Sequence, residues 1–220
     1  MKKLRFFLYS VICFTLIMPV AIHAESAGMK PHTSGDIIIE DSNGHLKSFN
    51  TDAMLLEKSL SKKPSFSEWL QGEQTTYTDT YSAIICIDGD GDAEVVDSLD
   101  IPSGYSVMTT RGGTSQNVYW KATVEITYTV QNPKAQLTRV SGSWTQLRGT
   151  STLSNRQVYY NQSPYGGNPT TKYPTSNTFG YGTGFSLAKV LDLGCRSTAT
   201  ITRTGGSFKI TASVSWNPSM

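Results

Sequence analysis

No histidine follows His45 in this 220-residue chain, and that absence removes most familiar hydrolytic chemistry from everything downstream. Imidazole is the usual general base near neutral pH and the commonest metal ligand. Ser-His-Asp or Cys-His catalysis would have to recruit His32 or His45 from the N-terminal quarter, and both read more simply as surface residues. The Gly-x-Ser-x-Gly elbow and the His-Glu-x-x-His zinc pattern are also missing. A pair of carboxylates needs no linear motif, but Asp and Glu are scarce in the stretches that pattern as strands. The chain is therefore expected not to be an enzyme.

Long apolar runs are confined to the start. Lys2, Lys3 and Arg5 precede a nearly unbroken apolar stretch over residues 6–22, and His23-Ala24 offers a small residue at a cut site. The run is short for a membrane span, and no stop-transfer charges follow it. Residues 1–24 are expected to be a cleaved signal peptide and the protein to be secreted, acting extracellularly. Cys13 lacks the small preceding residues that lipidation processing needs.

Charge is scarce as well, at 16% of residues. Removing residues 1–24 takes 3 of the 19 basic residues and none of the 17 acids, so 16 − 17 leaves −1 in place of the full-length +2. Near-zero net charge gives no electrostatic reason to expect nucleic acid or an anionic membrane as partner, and neither is expected. Cysteine is rarer still: only Cys86 and Cys195 remain after the signal. An even pair in an oxidising compartment reads as one disulfide. Closing a loop of that length would stabilise the fold by roughly 3–5 kcal/mol.

What is present is alternation. Trp120, Ala122, Val124, Ile126, Tyr128 and Val130 interleave with polar residues, and Phe208, Ile210, Ala212, Val214 and Trp216 repeat the pattern. Period two means strands with one buried and one wet face. Gly205-Gly206 marks a hairpin between the last two strands. Pairing Thr204 with Ser207 puts Ile201 opposite Ile210 and Cys195 opposite Trp216, with the apolar sets on one face. Short strands and regular turn signals predict an all-β antiparallel β-sandwich over residues 75–220. Residues 25–74 read as an N-terminal appendage docked on the main domain, or as a pro-segment. It holds a hairpin (36–40 and 45–49, around Asn43-Gly44), a short helix from Asn50 or Thr51 bearing Met54, Leu55, Leu56 and Leu60, and a capping box at 65–68 leading to Trp69 and Leu70.

Two segments carry candidate chemistry. Asp88, Asp90 and Asp92 alternate with glycine, as in loops that gather oxygen ligands around calcium. Ala93 and Leu99 stand where an EF-hand loop wants glycine and glutamate, and a solvated hairpin turn is the plainer reading. Calcium is thus an optional ion here, and no cofactor is required. Residues 161–184 set Tyr165, Tyr173, Phe179 and Tyr181 among Gly, Asn, Pro, Ser and Thr, with Lys172 the only charge. A long connection of this kind is expected to be functional or disordered. Aromatic rings among amides and hydroxyls suit sugars, whose apolar faces stack while their hydroxyls hydrogen-bond. These four residues are the expected ligand contacts, alternatively a loop packed on the sandwich edge.

The function expected is non-catalytic binding at or near the cell surface, with a cell-wall or surface polysaccharide as partner. The alternatives are a membrane-acting, toxin-like β protein and a purely structural extracellular component. The Thr/Ser alternation over residues 118–131 resembles a pore-forming hairpin, but any sandwich strand carries the same signature.

Overall fold

The structure, a computed structural model, describes residues 32–50, 74–96, 117–131 and 133–218. The expected signal peptide, the helix after Asn50 and the capping box at 65–68 lie outside the described residues. Eleven strands form among the described residues, with no helix. They run β1 (His32–Glu40), β2 (Leu46–Asn50), β3 (Thr75–Ile87), β4 (Ala93–Val96), β5 (Val118–Gln131) and β6 (Lys134–Arg148). Then come β7 (Thr152–Ser163), β8 (Thr170–Lys172), β9 (Thr178–Gly182), β10 (Asp192–Arg203) and β11 (Gly206–Asn217). Two antiparallel sheets stack, in the orders β2-β1-β11-β10-β7-β8 and β4-β3-β5-β6-β9. The protein is an antiparallel β-sandwich.

The alternation decides which atoms meet. Trp120 through Val130 and Phe208 through Trp216 all bury their apolar phase in one shared core. Where that core contains polar atoms, they pair: Trp144 Nε1 donates to Ser197 Oγ across the sheets at 2.9 Å. The outward phase is dominated by hydroxyls that bond along the rows, as Thr198 does with Thr211 (2.9 Å) and Ser82 with Thr123 (3.1 Å). Cross-strand pairs of this kind stabilise a sheet by tenths of a kcal/mol each, roughly 0.2–1.

Two expectations need correction, and residues 32–50 join the sandwich directly: β1 pairs with β11 from His32 to Glu40 and puts Ile37 and Ile39 in the core. The three isoleucines, read as a local hairpin strand, had a larger apolar partner in β11. Glu40 faces Leu46, so the connecting loop is five residues long, with Gly44 at φ 82°. Asp41 organises it by accepting from the backbone N–H groups of Asn43 (2.8 Å) and His45 (2.9 Å).

The β10–β11 register is displaced by two. Arg203 faces Gly206, so Thr204-Gly205 forms the turn and Ile201 faces Phe208. The single positive φ, 101° at Gly205, is why the turn sits there. A slip of two preserves which side chains face inward, so the core survived the error.

Cys86 and Cys195 are both free, and the expected disulfide does not form. Tyr81, Ala83, Ile85 and Ile87 take the inward phase of β3, which turns Cys86 to the outer face beside Ile84 and Tyr119. Cys195 lies in the core between the sheets. The β3 backbone therefore separates the two sulfurs. Burial pushes the Cys195 thiol up to about 12 and raises that of Cys86, so both are poor nucleophiles at neutral pH.

Candidate functional site

The aromatic segment is not an irregular loop. Its residues supply the last strand of each sheet: β8 pairs with β7, and β9 pairs with β6. Between them, residues 173–177 cross from one sheet to the other and close one lateral edge of the sandwich. The strands are only three and five residues long, too short for their alternation to register against Gly, Pro and Asn.

The four expected contact residues divide into two pairs. Phe179 and Tyr181 lie opposite Gly142 and Val140, pack against the core and stack on each other, with ring centroids 6.1 Å apart at 20°. Gly142 makes room for this, since a Cβ there would come within 2.6 Å of Phe179 Cζ. These two residues are half-buried and pack on the sandwich. Tyr165 and Tyr173 are 66% and 74% exposed. They are the exposed candidates for contact, one on each side of β8.

The backbone carrying them is fixed from below. Gln162 is buried, and its side chain ties three segments together. Its Oε1 accepts from Leu137 N at 2.7 Å, and its Nε2 donates to Tyr165 O (3.0 Å) and Ser186 O (2.9 Å). Past Tyr173, Asn177 Oδ1 accepts from Arg156 Nε (2.9 Å) and Nη2 (2.6 Å), while Asn177 O accepts from Trp144 N at 2.8 Å. On the outer face alongside, the Arg196 guanidinium lies 4.3 Å from the centroid of the Tyr159 ring. The neighbouring Tyr160 faces inward, against Phe185, and burial raises its phenol. Exposed rings on a braced backbone lose less entropy on binding than rings on a mobile loop.

The acidic turn lies at the opposite edge. Asp88 Oδ1 accepts from the N–H groups of Asp90 (3.0 Å) and Asp92 (2.8 Å), an Asx-type closure. Asp92 pairs with Lys47 of β2 and accepts from Ala93 N, and the Lys47 bond holds its carboxyl below the usual range. The buried Arg203 donates to Ile87 O and Asp88 O beneath the turn. Among the described residues no three His, Cys, Asp or Glu side chains are placed to hold a metal. The Asx-type closure at Asp88 and the Lys47 pair at Asp92 fit a hairpin turn. The depression beside it, lined by Asp41, His45, Lys47 and Asp92, has a volume of about 30 Å³. That admits little more than a water molecule.

One residue escaped the sequence reading altogether. Asp79 sits on the inward phase of β3 between Tyr77 and Tyr81, and its Oδ2 accepts from Tyr128 OH and Thr33 Oγ1, both at 2.7 Å. It joins β1 of one sheet to β3 and β5 of the other, under the Tyr77–Tyr128 stack (5.4 Å) and Trp216. Burial, then the Asp79 charge, keeps the Tyr128 phenol protonated. The signal was legible: an acid in the apolar phase, Tyr77-Asp79-Tyr81, needs an internal partner. With the fold and both edges described, no family model, curated protein or solved structure matches the chain.

Proposed function

We propose that this protein is a secreted, non-catalytic binding protein that acts at or near the cell surface and takes a polysaccharide on the β8–β9 edge. The observation that supports this reading is the pairing of two highly exposed tyrosines, Tyr165 and Tyr173, with a backbone held by Gln162, Arg156 and Asn177. Pyranose rings present apolar C–H faces that stack on an aromatic ring, and the surrounding amides and hydroxyls meet the sugar hydroxyls. An open sandwich edge suits a polymer that runs past it, where a closed pocket would admit only a chain end. The reading requires no cofactor.

The test is co-sedimentation of the protein with insoluble cell-wall polysaccharide, with liposomes as the parallel pellet. The Tyr165→Ala/Tyr173→Ala protein is expected to lose retention on polysaccharide and keep its Tm within about 1 °C, since both rings point to water. Phe179→Ala is expected to destabilise by about 2 kcal/mol through lost packing and to keep retention wherever it remains folded. Undiminished retention of the double tyrosine variant sinks the reading, and retention on liposomes alone moves the protein to the membrane-acting class.

A further inference from the structure

The near-zero net charge conceals a separation that only the strand order reveals. Between Glu125 and Asp192 the sequence carries six Lys or Arg residues and no acid. Those residues build β6, β7, β8 and β9, which occupy one lateral side of both sheets. The described residues 32–50 and 74–96 carry eight acids against one lysine, Lys47. They build β1, β2, β3 and β4, on the opposite side. The sandwich is therefore polarised across its width, cationic where the exposed tyrosines lie and acidic at the far edge.

We infer that the β8–β9 edge binds an anionic polysaccharide, with sugar rings on Tyr173 and acidic substituents on Lys172 and Arg139. This rests on the polysaccharide reading above and narrows its ligand class. Lys172 is exposed and adjoins Tyr173 in the chain, and Arg139 is exposed with its guanidinium over Gly180 of β9. Arg196, two strands in on the outer face of the other sheet, stacks on Tyr159 and adds to the potential without lying at the contact. Arg156 is already engaged by a neutral amide, Asn177, so its charge adds to the local potential without an acid to cancel it. Cations interleaved with aromatic rings are what a charged glycan calls for: the rings take the apolar sugar faces, and the ammonium and guanidinium groups take carboxylate, sulfate or phosphate. Like-signed potential along the edge also raises the encounter rate with a polyanion. The secreted setting expected from the leader favours a glycan over the other polyanions of this chemistry.

The test is calorimetric titration of the intact protein with two matched pairs of polymers: polygalacturonate against its methyl ester, and dextran sulfate against dextran. At least one charged member is expected to bind at least about tenfold tighter than its neutral partner, with affinity falling as NaCl rises from about 50 to about 500 mM. Lys172→Glu/Arg139→Glu should weaken that binding at least about tenfold, whereas Lys121→Glu, two strands in from the edge, should change it by less than about twofold. Circular dichroism melts confirm that each variant is folded. Equal, salt-insensitive binding of charged and neutral partners overturns the inference and leaves the polysaccharide reading standing. Failure of every polymer, with no retention on cell-wall polysaccharide, overturns both. Tighter binding to a single-stranded oligonucleotide or to anionic vesicles overturns the assignment to a glycan. So does salt-sensitive self-association that occupies the edge with the acidic side of a second copy.

Discussion

The two lateral edges of this sandwich solve the same problem with different chemistry. A sheet edge exposes unpaired backbone groups and invites unwanted pairing. At the acidic edge, β2 and β4 are short, and the loops beside them are held by Asp41, by Asp88 and by the Lys47–Asp92 ion pair. At the cationic edge, one chain segment crosses between sheets and is held by neutral amides, Gln162 and Asn177, and by the Phe179–Tyr181 stack. The first edge depends on carboxylates and therefore on pH. The second depends on buried hydrogen bonds and packing, and leaves Tyr165 and Tyr173 exposed. A fixed frame with uncommitted rings is what binding requires.

The largest test of that contrast is Gln162→Ala. It removes three hydrogen bonds from a buried site and leaves Leu137 N–H and two carbonyls without partners, which should lower stability by about 3 kcal/mol in urea unfolding. A loss below about 1 kcal/mol would mean that water replaces the amide and that the edge is not braced as described. Arg203→Met is the counterpart beneath the acidic turn. It keeps the stem and removes bonds to Ile87 O and Asp88 O, with an expected loss of about 2 kcal/mol.

A pH titration should separate the edges with a smaller effect. Asp41 and Asp92 have folded-state carboxyls held below their ordinary value of 3.8, Asp41 first by the His45 backbone N–H and Asp92 first by Lys47. Lowered folded pKa values give stability that is present above pH 3.8 and is lost as pH falls through the folded values. Both groups are solvent-facing, so the global effect is slight and the readout must be local. Protection factors of amides near the 41–45 and 88–92 loops, taken relative to intrinsic exchange at each pH, are expected to fall below about pH 4. Amides of residues 163–186, a stretch that contains no carboxylate, should keep their protection. Equal loosening of both edges would show that they do not differ in this way.

How far the sequence reading reached depended on strand length. Where alternation ran for five or more inward positions, as from Trp120 to Val130 and Phe208 to Trp216, it identified the strand and its buried face. In β3 the run Ala83-Ile84-Ile85-Cys86-Ile87 is apolar on both phases, so the facing of Cys86 could not be read locally, and the disulfide was misassigned. In β8 and β9 no periodicity had room to develop. Exposed and packed aromatics therefore looked alike, and the four residues Tyr165, Tyr173, Phe179 and Tyr181 were grouped as one site.

By itself, the sequence determined the class of fold and the inward faces of β5 and β11, because side-chain alternation is a local property of extended backbone. It also determined that no histidine lies within reach along the chain after His45. Only the tertiary structure decided that β1 belongs to the main sheet, that Asp79 ties the two layers, and which tyrosines stay in water. It alone placed the six cations of residues 126–191 on one flank and the acids of residues 32–50 and 74–96 on the other. Those outcomes follow from which strands become neighbours, and neighbours are chosen by long-range burial and hydrogen bonding, to which the local pattern contributes only the choice of face.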